Sequence, residues 1–405
     1  MTRFSEFQSE IYRGGLVGNT PKLPLTADGL EQAASAVMDP EVYAYVAGSA
    51  GTESTTRANR AAFRRWEIVP RHLRGVAERD LSVSLFGSTL VAPVLLAPIG
   101  ALGAVRPEGE LAVARAAAEL GVPMTLSTLS SSTLEEVAAE LSRTCPSPSQ
   151  PDGARGVGWF QLYWPTDREL AQSLVQRAER AGYQALVVTL DNWTLAWRPR
   201  DLANGYLPFH RGVGLANYLS DPVFRSRLAT PPEDDLQPAI ELWSEIFPHP
   251  GLRWPDLSWL RAQTGLPILL KGICHPDDAQ AATDAGVDGL VVSNHGGRQV
   301  DGARAALDCL PEVVSASGEL PVLFDSGIRT GSDVVKALAL GAKAILLGRP
   351  YVYGLALAGQ LGVVHALRCL LADLDLSVGL SGEAGTASLG RDVLVRANDD
   401  HGAEY

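Results

Sequence analysis

The sequence predicts an α/β fold, a (β/α)8 TIM barrel, and three observations carry that prediction. Eight short apolar runs recur along the chain, most are followed by a segment with helical spacing, and those segments close on a glycine. The runs are continuous rather than alternating, as strands buried on both faces require. An open doubly wound sheet is the structural alternative, but eight units in series favour closure.

In chain order, residues 1–90 form an N-terminal cap, residues 91–372 the barrel, and residues 373–405 a C-terminal tail that wraps the barrel or a neighbouring subunit. The strands are PVLLAP (93–98), PMTLS (123–127), WFQLY (159–163), ALVVTL (185–190), PILLK (267–271), GLVVS (289–293), PVLFD (321–325) and AILLG (344–348). Between them GELAVARAAAEL, DRELAQSLVQRAERAG, PDDAQAATDAG and GSDVVKALALGA are rich in helix formers, with apolar residues three and four apart. Gly121, Gly182, Gly286 and Gly341 follow them as stop signals. Two stretches break the rhythm. Residues 143–157, RTCPSPSQPDGARGV, read as a surface loop. Residues 191–255 are far longer than an ordinary βα connection and fall after the fourth strand, on the face where barrels place their chemistry. They are expected to form a lid.

With 405 residues, 46% of them hydrophobic, the chain can bury a large core. Its formal net charge of -12 argues against a nucleic-acid or anionic-membrane surface, while leaving room for a small anionic substrate in a locally positive pocket. The start lacks the apolar core of a secretory signal, and no apolar run is read as long enough to span a bilayer, so a cytoplasmic protein is expected. Cys145, Cys274, Cys309 and Cys369 are far apart and read as free thiols, with no metal site.

Barrel chemistry comes from the C-terminal ends of the strands. Those ends are polar here: Gln161 and Tyr163, Thr189 and Asp191, Lys271, Ser293 with His295 and Arg298, Asp325 and Arg329, then Gly348 and Arg349. FDSGIRTGSD and LLGRP each lead into a helix and combine small residues with an arginine. At the seventh and eighth strands that describes a phosphate cradle, although two tight turns would read the same way. The stretch VVSNHGGRQVDG sets a base, a fixed cation and two glycines just beyond the sixth strand.

Taken together, "SNHGGRQVDG", "FQLY", "VVTLD", "LLKGI", "DSGIRTGSDVVKALALGA" and "GRP" resemble the FMN-dependent α-hydroxy acid oxidoreductases. The likeness runs from YVAGSAGTE at residue 45 through the last barrel helix. Within the family, "IYRGGLVGNTPKLPL", "LDNWTLAWRPRDL", "GYLPFHRG", "NYLSDPVF" and the long 191–255 segment look most like lactate 2-monooxygenase.

The resemblance implies FMN as cofactor, a small 2-hydroxy acid and O2 as reactants, and a homotetramer or homo-octamer. It makes His295 the base, Asp191 its carboxylate partner, Arg198 and Arg298 the binders of the substrate carboxylate, and Tyr45 and Tyr163 the tyrosines at the substrate. A histidine suits the task because its ordinary pKa of about 6.5 lets it take and return a proton. Two guanidiniums give a carboxylate directional, charge-assisted bonds. Lys271 is matched to the flavin edge that gains negative charge on reduction. Pro98, Ile99, Gly100, Ser127, Gln161, Thr189 and Ser293 are matched to the ring and ribityl chain. Asp325, Ser326, Gly327, Ile328, Arg329, Gly348 and Arg349 are matched to the ribityl and phosphate end. Two departures stand out: Asn192 where threonine is common, and Gly48–Ser49 where a serine and a glycine are common.

The expected reaction is oxidation of a short L-2-hydroxy acid, lactate above all. An oxidase would release pyruvate and hydrogen peroxide. A lactate 2-monooxygenase would retain both until they react to acetate, CO2 and water, a difference of product release. A dehydrogenase with another acceptor is an alternative. A non-redox barrel isomerase would use the same phosphate cradle but leaves the His295, Arg198 and Arg298 set without a purpose. An inactive flavin scaffold is disfavoured because each matched position keeps its residue type.

Overall fold

The computed structural model describes residues 4–143 and 156–397. Cys145 and nearly all of the loop expected at 143–157 lie outside the described residues. Eight parallel strands close into a barrel: β1 (Val94–Leu96), β2 (Met124–Ser127), β3 (Gly158–Leu162), β4 (Leu186–Thr189), β5 (Ile268–Ile273), β6 (Gly289–Val292), β7 (Val322–Phe324) and β8 (Ala344–Leu347). Closure is made by β8 against β1, with Ile345 beside Val94 and Leu347 beside Leu96.

Both faces of each strand are apolar for a reason. Leu95, Trp159, Val187, Leu269, Val291, Leu323 and Leu346 fill the barrel interior, while Leu96, Phe160, Leu186, Val188, Leu270, Leu290, Val292 and Ile345 belong to the layer beneath the outer helices. Under such packing neither face can be polar, which is why the runs do not alternate. The helices Gly109–Leu120, Arg168–Ala181, Pro276–Asp284 and Gly331–Ala339 occupy the segments the spacing predicts. Gly121 and Gly182 cap their helices in the left-handed conformation, at φ +67° and +91°.

The leading segment holds four helices, Glu6–Gly15, Ala27–Ser35, Pro40–Ala47 and Ser54–Arg64, followed by the hairpin Val83–Leu85 with Ser88–Leu90. The hairpin packs into the barrel interior, with Phe86 against Trp159 at 5.6 Å between ring centres. Trp66–Ile68 pairs antiparallel with Leu394–Arg396, so the end of the described chain is tied to the leading segment.

The last barrel helix, Arg349–Leu380, runs through residue 373, where the sequence places the start of the tail, and breaks at Ala358–Gly359. By length and composition it is apolar enough to cross a membrane, which corrects the expectation that no segment is. Isolated polar residues such as Arg368 disguise its length in the sequence. More than half of its most apolar stretch is buried in the protein, as in the core helix of a globular domain.

The segment between β4 and β5 is ordered and has its own aromatic core. Phe209, Trp243 and Phe247 stack in series at 5.1 and 5.2 Å, and the series ends on Tyr163 at 5.3 Å and on Tyr45 at 6.2 Å. The insertion is thereby packed onto both candidate active-site tyrosines.

Candidate active site

The chain leaves β6 through Ser293 and Asn294 into a single tight turn. His295, Gly296 and Gly297 all have positive φ, at 57°, 63° and 81°. For His295 that conformation is uncommon and is held by its surroundings. Its N–H donates to Ser293 Oγ at 3.0 Å, and Gly297 N–H donates to Asn294 Oδ1 at 3.2 Å. Gly297 is needed for a second reason: a Cβ there would stand 2.3 Å from Thr56 Oγ1 and 2.7 Å from Thr56 N. The turn is pressed against the helix Ser54–Arg64, and Asp301 fastens it by accepting from Thr52 N, Ser54 N and both hydroxyls at 2.6 to 2.8 Å.

This turn carries His295 to Asp191, at the end of β4, with Nδ1 and Oδ1 2.8 Å apart and both side chains largely buried. Asp191 approaches β5 closely. Gly272, at φ +109°, leaves the room, since a Cβ there would lie 2.8 Å from Asp191 Cβ. Burial pushes the His295 imidazole below its ordinary value, aided by Lys271 and Arg198 and opposed by Asp191. Burial would raise Asp191, but His295 and Lys271 outweigh it and hold the carboxyl below the usual range.

Arg198, Arg298 and Tyr45 close the other side. Arg298 Nη1 donates to Tyr45 O at 2.6 Å and Gly48 O at 2.5 Å, and its guanidinium lies 5.1 Å from the Tyr45 ring centre. Arg198 donates through Nε to Arg298 O at 3.0 Å and through Nη2 to Gln299 Oε1 at 2.6 Å. Burial, reinforced by Arg298, pushes Arg198 down to about 10. Two guanidiniums held close in a buried site favour an anion between them. Burial also raises Tyr163, to about 12 despite the opposing Asn192 and Lys271, so its hydroxyl stays protonated.

At the floor, Lys271 Nζ reaches Ser293 Oγ at 2.9 Å and Asp325 Oδ2 at 3.2 Å. Burial would lower the ammonium, but Asp325 and Asp191 outweigh it and keep Lys271 charged.

Most of these groups line one cavity on the C-terminal face of the barrel. Of the residues singled out from the sequence, Tyr45, Pro98, Ile99, Gly100, Ser127, Tyr163, Arg198, Lys271, His295, Arg298, Asp325, Ser326, Gly327, Ile328, Arg329, Gly348 and Arg349 line it. Gln161, Asp191 and Ser293 stand behind that lining, and Thr189 lines a neighbouring cavity instead. Leu129, Asn192, Leu195 and Phe209 also line the cavity, and Gln299 braces it by donating to Asp191 O at 2.8 Å while accepting from Arg198. Gln299 stands within the motif around His295, and an amide that both donates and accepts was the available signal. Leu129 and Phe209 carry no such signal, because apolar residues are ordinarily core.

The residues fit FMN. Gln161 Nε2 is buried without a partner among the described residues, as a group that faces a polar ligand is. Arg329 is half-buried, its side chain donates only to Ile328 O at 2.9 Å, and no described carboxylate pairs with its guanidinium. A half-buried, unpaired cation at the seventh-strand loop suits a phosphate. Arg349 behaves differently. Its Nε donates to Val46 O, its Nη1 to Gly296 O, and its Nη2 to Gly48 O and Ser49 Oγ, at 2.9 to 3.2 Å. Most of its donors are therefore spent on joining the leading segment to the His295 turn, a use that LLGRP alone does not reveal. Gly48 and Ser49, the local departure from the family pattern, supply acceptors for it.

The sequence model of the family described as "FMN-dependent dehydrogenase" matches residues 34–396. An FMN-dependent alpha-hydroxy acid dehydrogenase of Penicillium citrinum is 45% identical over 97% of this chain and 96% of its own. An L-lactate oxidase of Lysinibacillus sphaericus is 43% identical over 92% of this chain and 93% of its own. The crystal structure of a mandelate oxidase, 40% identical, superposes with a TM-score of 0.78 over 92% of this chain and 98% of that one. Sequence, barrel and cavity agree: the chain belongs to the FMN-dependent α-hydroxy acid oxidoreductases, and FMN is its cofactor.

Proposed function

We infer that the protein oxidises a short L-2-hydroxy acid, lactate foremost, with O2 as electron acceptor, and that it acts as a lactate 2-monooxygenase giving acetate, CO2 and water. The observation that carries the reading is the His295–Asp191 pair, 2.8 Å apart, at a cavity that also holds Arg198 and Arg298.

Arg198 and Arg298 bind the substrate carboxylate, and with it fixed the carbinol carbon has few orientations left. Asp191 accepts the Nδ1 proton of His295, which leaves Nε2 as the atom that receives the substrate proton. As the imidazole becomes cationic, the Asp191 carboxylate stabilises it. The Tyr163 hydroxyl, kept protonated, donates to the substrate oxygen. Bound FMN would supply the two-electron acceptor, and Lys271, held by Ser293 and Asp325, would give it a fixed positive charge.

The choice of monooxygenase over oxidase is supported by the ordered insertion between β4 and β5, whose aromatic series rests on Tyr45 and Tyr163 and would slow departure of pyruvate and peroxide. The oxidase reading is favoured by the 43% identity to an L-lactate oxidase. Aerobic turnover with L-lactate, with acetate, CO2, pyruvate and peroxide quantified together, decides between them. Acetate and CO2 without free peroxide upholds the monooxygenase, and equimolar pyruvate and peroxide overturns it in favour of the oxidase.

A further inference from the structure

Tyr163 is held at two points and left free at a third. Its N–H donates to Thr128 Oγ1 at 3.0 Å, and its ring meets Phe247 edge to face, 5.3 Å between centres. What remains to be set is the direction of the phenolic proton, because a hydroxyl rotates to suit its neighbours. Among the described residues the hydroxyl has one hydrogen-bond partner, Asn192, whose Nδ2 donates to it at 3.1 Å. An amide nitrogen accepts nothing, so this contact uses a lone pair of the phenol and leaves its proton for another acceptor.

Asn192 stands at a boundary. It and Tyr163 line the catalytic cavity and also a second, largely aromatic cavity, to which Trp164 and the insertion residues Trp193, Phe247 and Trp254 contribute. Around this second cavity Asn192 Oδ1, Thr189 Oγ1 and Trp164 Nε1 are buried without a partner among the described residues, in side chains of residues only 5 to 6% exposed. The indole N–H can only donate and the threonine hydroxyl can do so, whereas Oδ1 can only accept. Donors on that side suit the amide oxygen, and the amide nitrogen is left for Tyr163. The reverse orientation would set Nδ2 among those donors and let Oδ1 take the Tyr163 proton.

We propose that Asn192 is a positioning residue for the oxidation: by donating to Tyr163 it turns the phenolic proton toward the substrate oxygen in the catalytic cavity. It acts through Tyr163. A hydroxyl at residue 192, able to accept as well as donate, would leave that direction unset. The inference rests on the oxidation of 2-hydroxy acids argued above, in which the Tyr163 proton meets the substrate oxygen, and adds to it the group that orients that proton.

The test is a double-mutant cycle on flavin reduction in the holoenzyme, followed as anaerobic bleaching so that the fate of O2 does not enter. L-lactate, glycolate and L-mandelate are offered, and the cycle is run with the fastest of them. Asn192→Leu keeps the bulk and removes the donor. It should lower the limiting rate of bleaching about tenfold, the size of one hydrogen bond, while the half-saturating substrate concentration stays within about threefold because Arg198 and Arg298 still hold the carboxylate. Asn192→Thr should fall between Asn192→Leu and the parent. Tyr163→Phe should be slower than the parent by at least about tenfold, and with it in place Asn192→Leu should change the rate by less than about twofold. An undiminished or faster rate in Asn192→Leu overturns the inference, as does an equal loss beside Tyr163→Phe, which would place the effect of Asn192 elsewhere. If none of the three acids bleaches the parent, the proposed reaction has failed and this inference falls with it, whereas bleaching without coupling between Asn192 and Tyr163 sinks the inference alone.

Discussion

His295 and Asp191 are 104 residues apart in the chain and 2.8 Å apart in the structure, and the bond between them assigns the two imidazole nitrogens different tasks. Nδ1 is occupied by the carboxylate, so Nε2 alone is available to a substrate. Replacing His295 with Gln should retain FMN and slow its reduction by L-lactate by at least about 10³-fold, read by stopped-flow bleaching without oxygen. Normal bleaching would remove His295 from the role of base.

The pH profile follows from the same pair. His295 must be neutral to accept a proton, and its pKa is held below the ordinary value, so kcat/KM should stay level at pH 7 and above and fall only as pH drops below about 6.5. Asp191 is the influence that raises the imidazole. Asp191→Asn should therefore move the acid limb to lower pH while lowering kcat about 10²- to 10⁴-fold, because the imidazolium loses its partner. An acid limb that moves upward would contradict this account.

Arg298, which the proposed reaction places on the substrate carboxylate, also holds Tyr45 O and Gly48 O. For Arg298→Met we expect an increase in KM for L-lactate of about 10- to 100-fold, the loss of a charge-assisted hydrogen bond, together with a smaller loss of kcat as Tyr45 loosens. An unchanged KM would move the carboxylate site elsewhere.

Arg329 and Arg349 should part company on substitution. Arg329→Met is expected to weaken FMN binding about 10- to 100-fold with little effect on the melting temperature of the apoprotein. Arg349→Met removes four hydrogen bonds to the leading segment and the His295 turn, and should lower that melting temperature by several degrees. Fluorescence titration with FMN and thermal scans of both apoproteins read the difference.

At Gly297 even an added methyl group should be disruptive. Gly297→Ala combines a positive φ with a contact against Thr56 backbone, and about 2–4 kcal/mol of destabilisation is expected. Denaturant unfolding of the variant gives the value directly, and a loss below about 0.5 kcal/mol would mean that the turn and the helix Ser54–Arg64 separate easily.

The barrel was legible because its signal is local. A strand buried on both faces must be apolar at each position, as PILLK and GLVVS are, and a helix between strands must repeat every three to four residues. The strand ends exposed their polar residues to inspection for the same reason, so Lys271, His295 and Asp325 could be picked out one by one, and the family resemblance supplied the cofactor. Two expectations needed the folded chain. Whether Arg349 turns toward a phosphate or toward Val46, Gly48 and Ser49 depends on which carbonyl groups the leading segment brings to it. Whether Asn192 matters depends on Tyr163, which reaches it from the neighbouring strand. Side-chain partners are set by which polar atoms lose water together, and that is a property of packing between distant segments. The second aromatic chamber arises in the same way, from a tryptophan after β3 and an insertion after β4 that no periodicity connects.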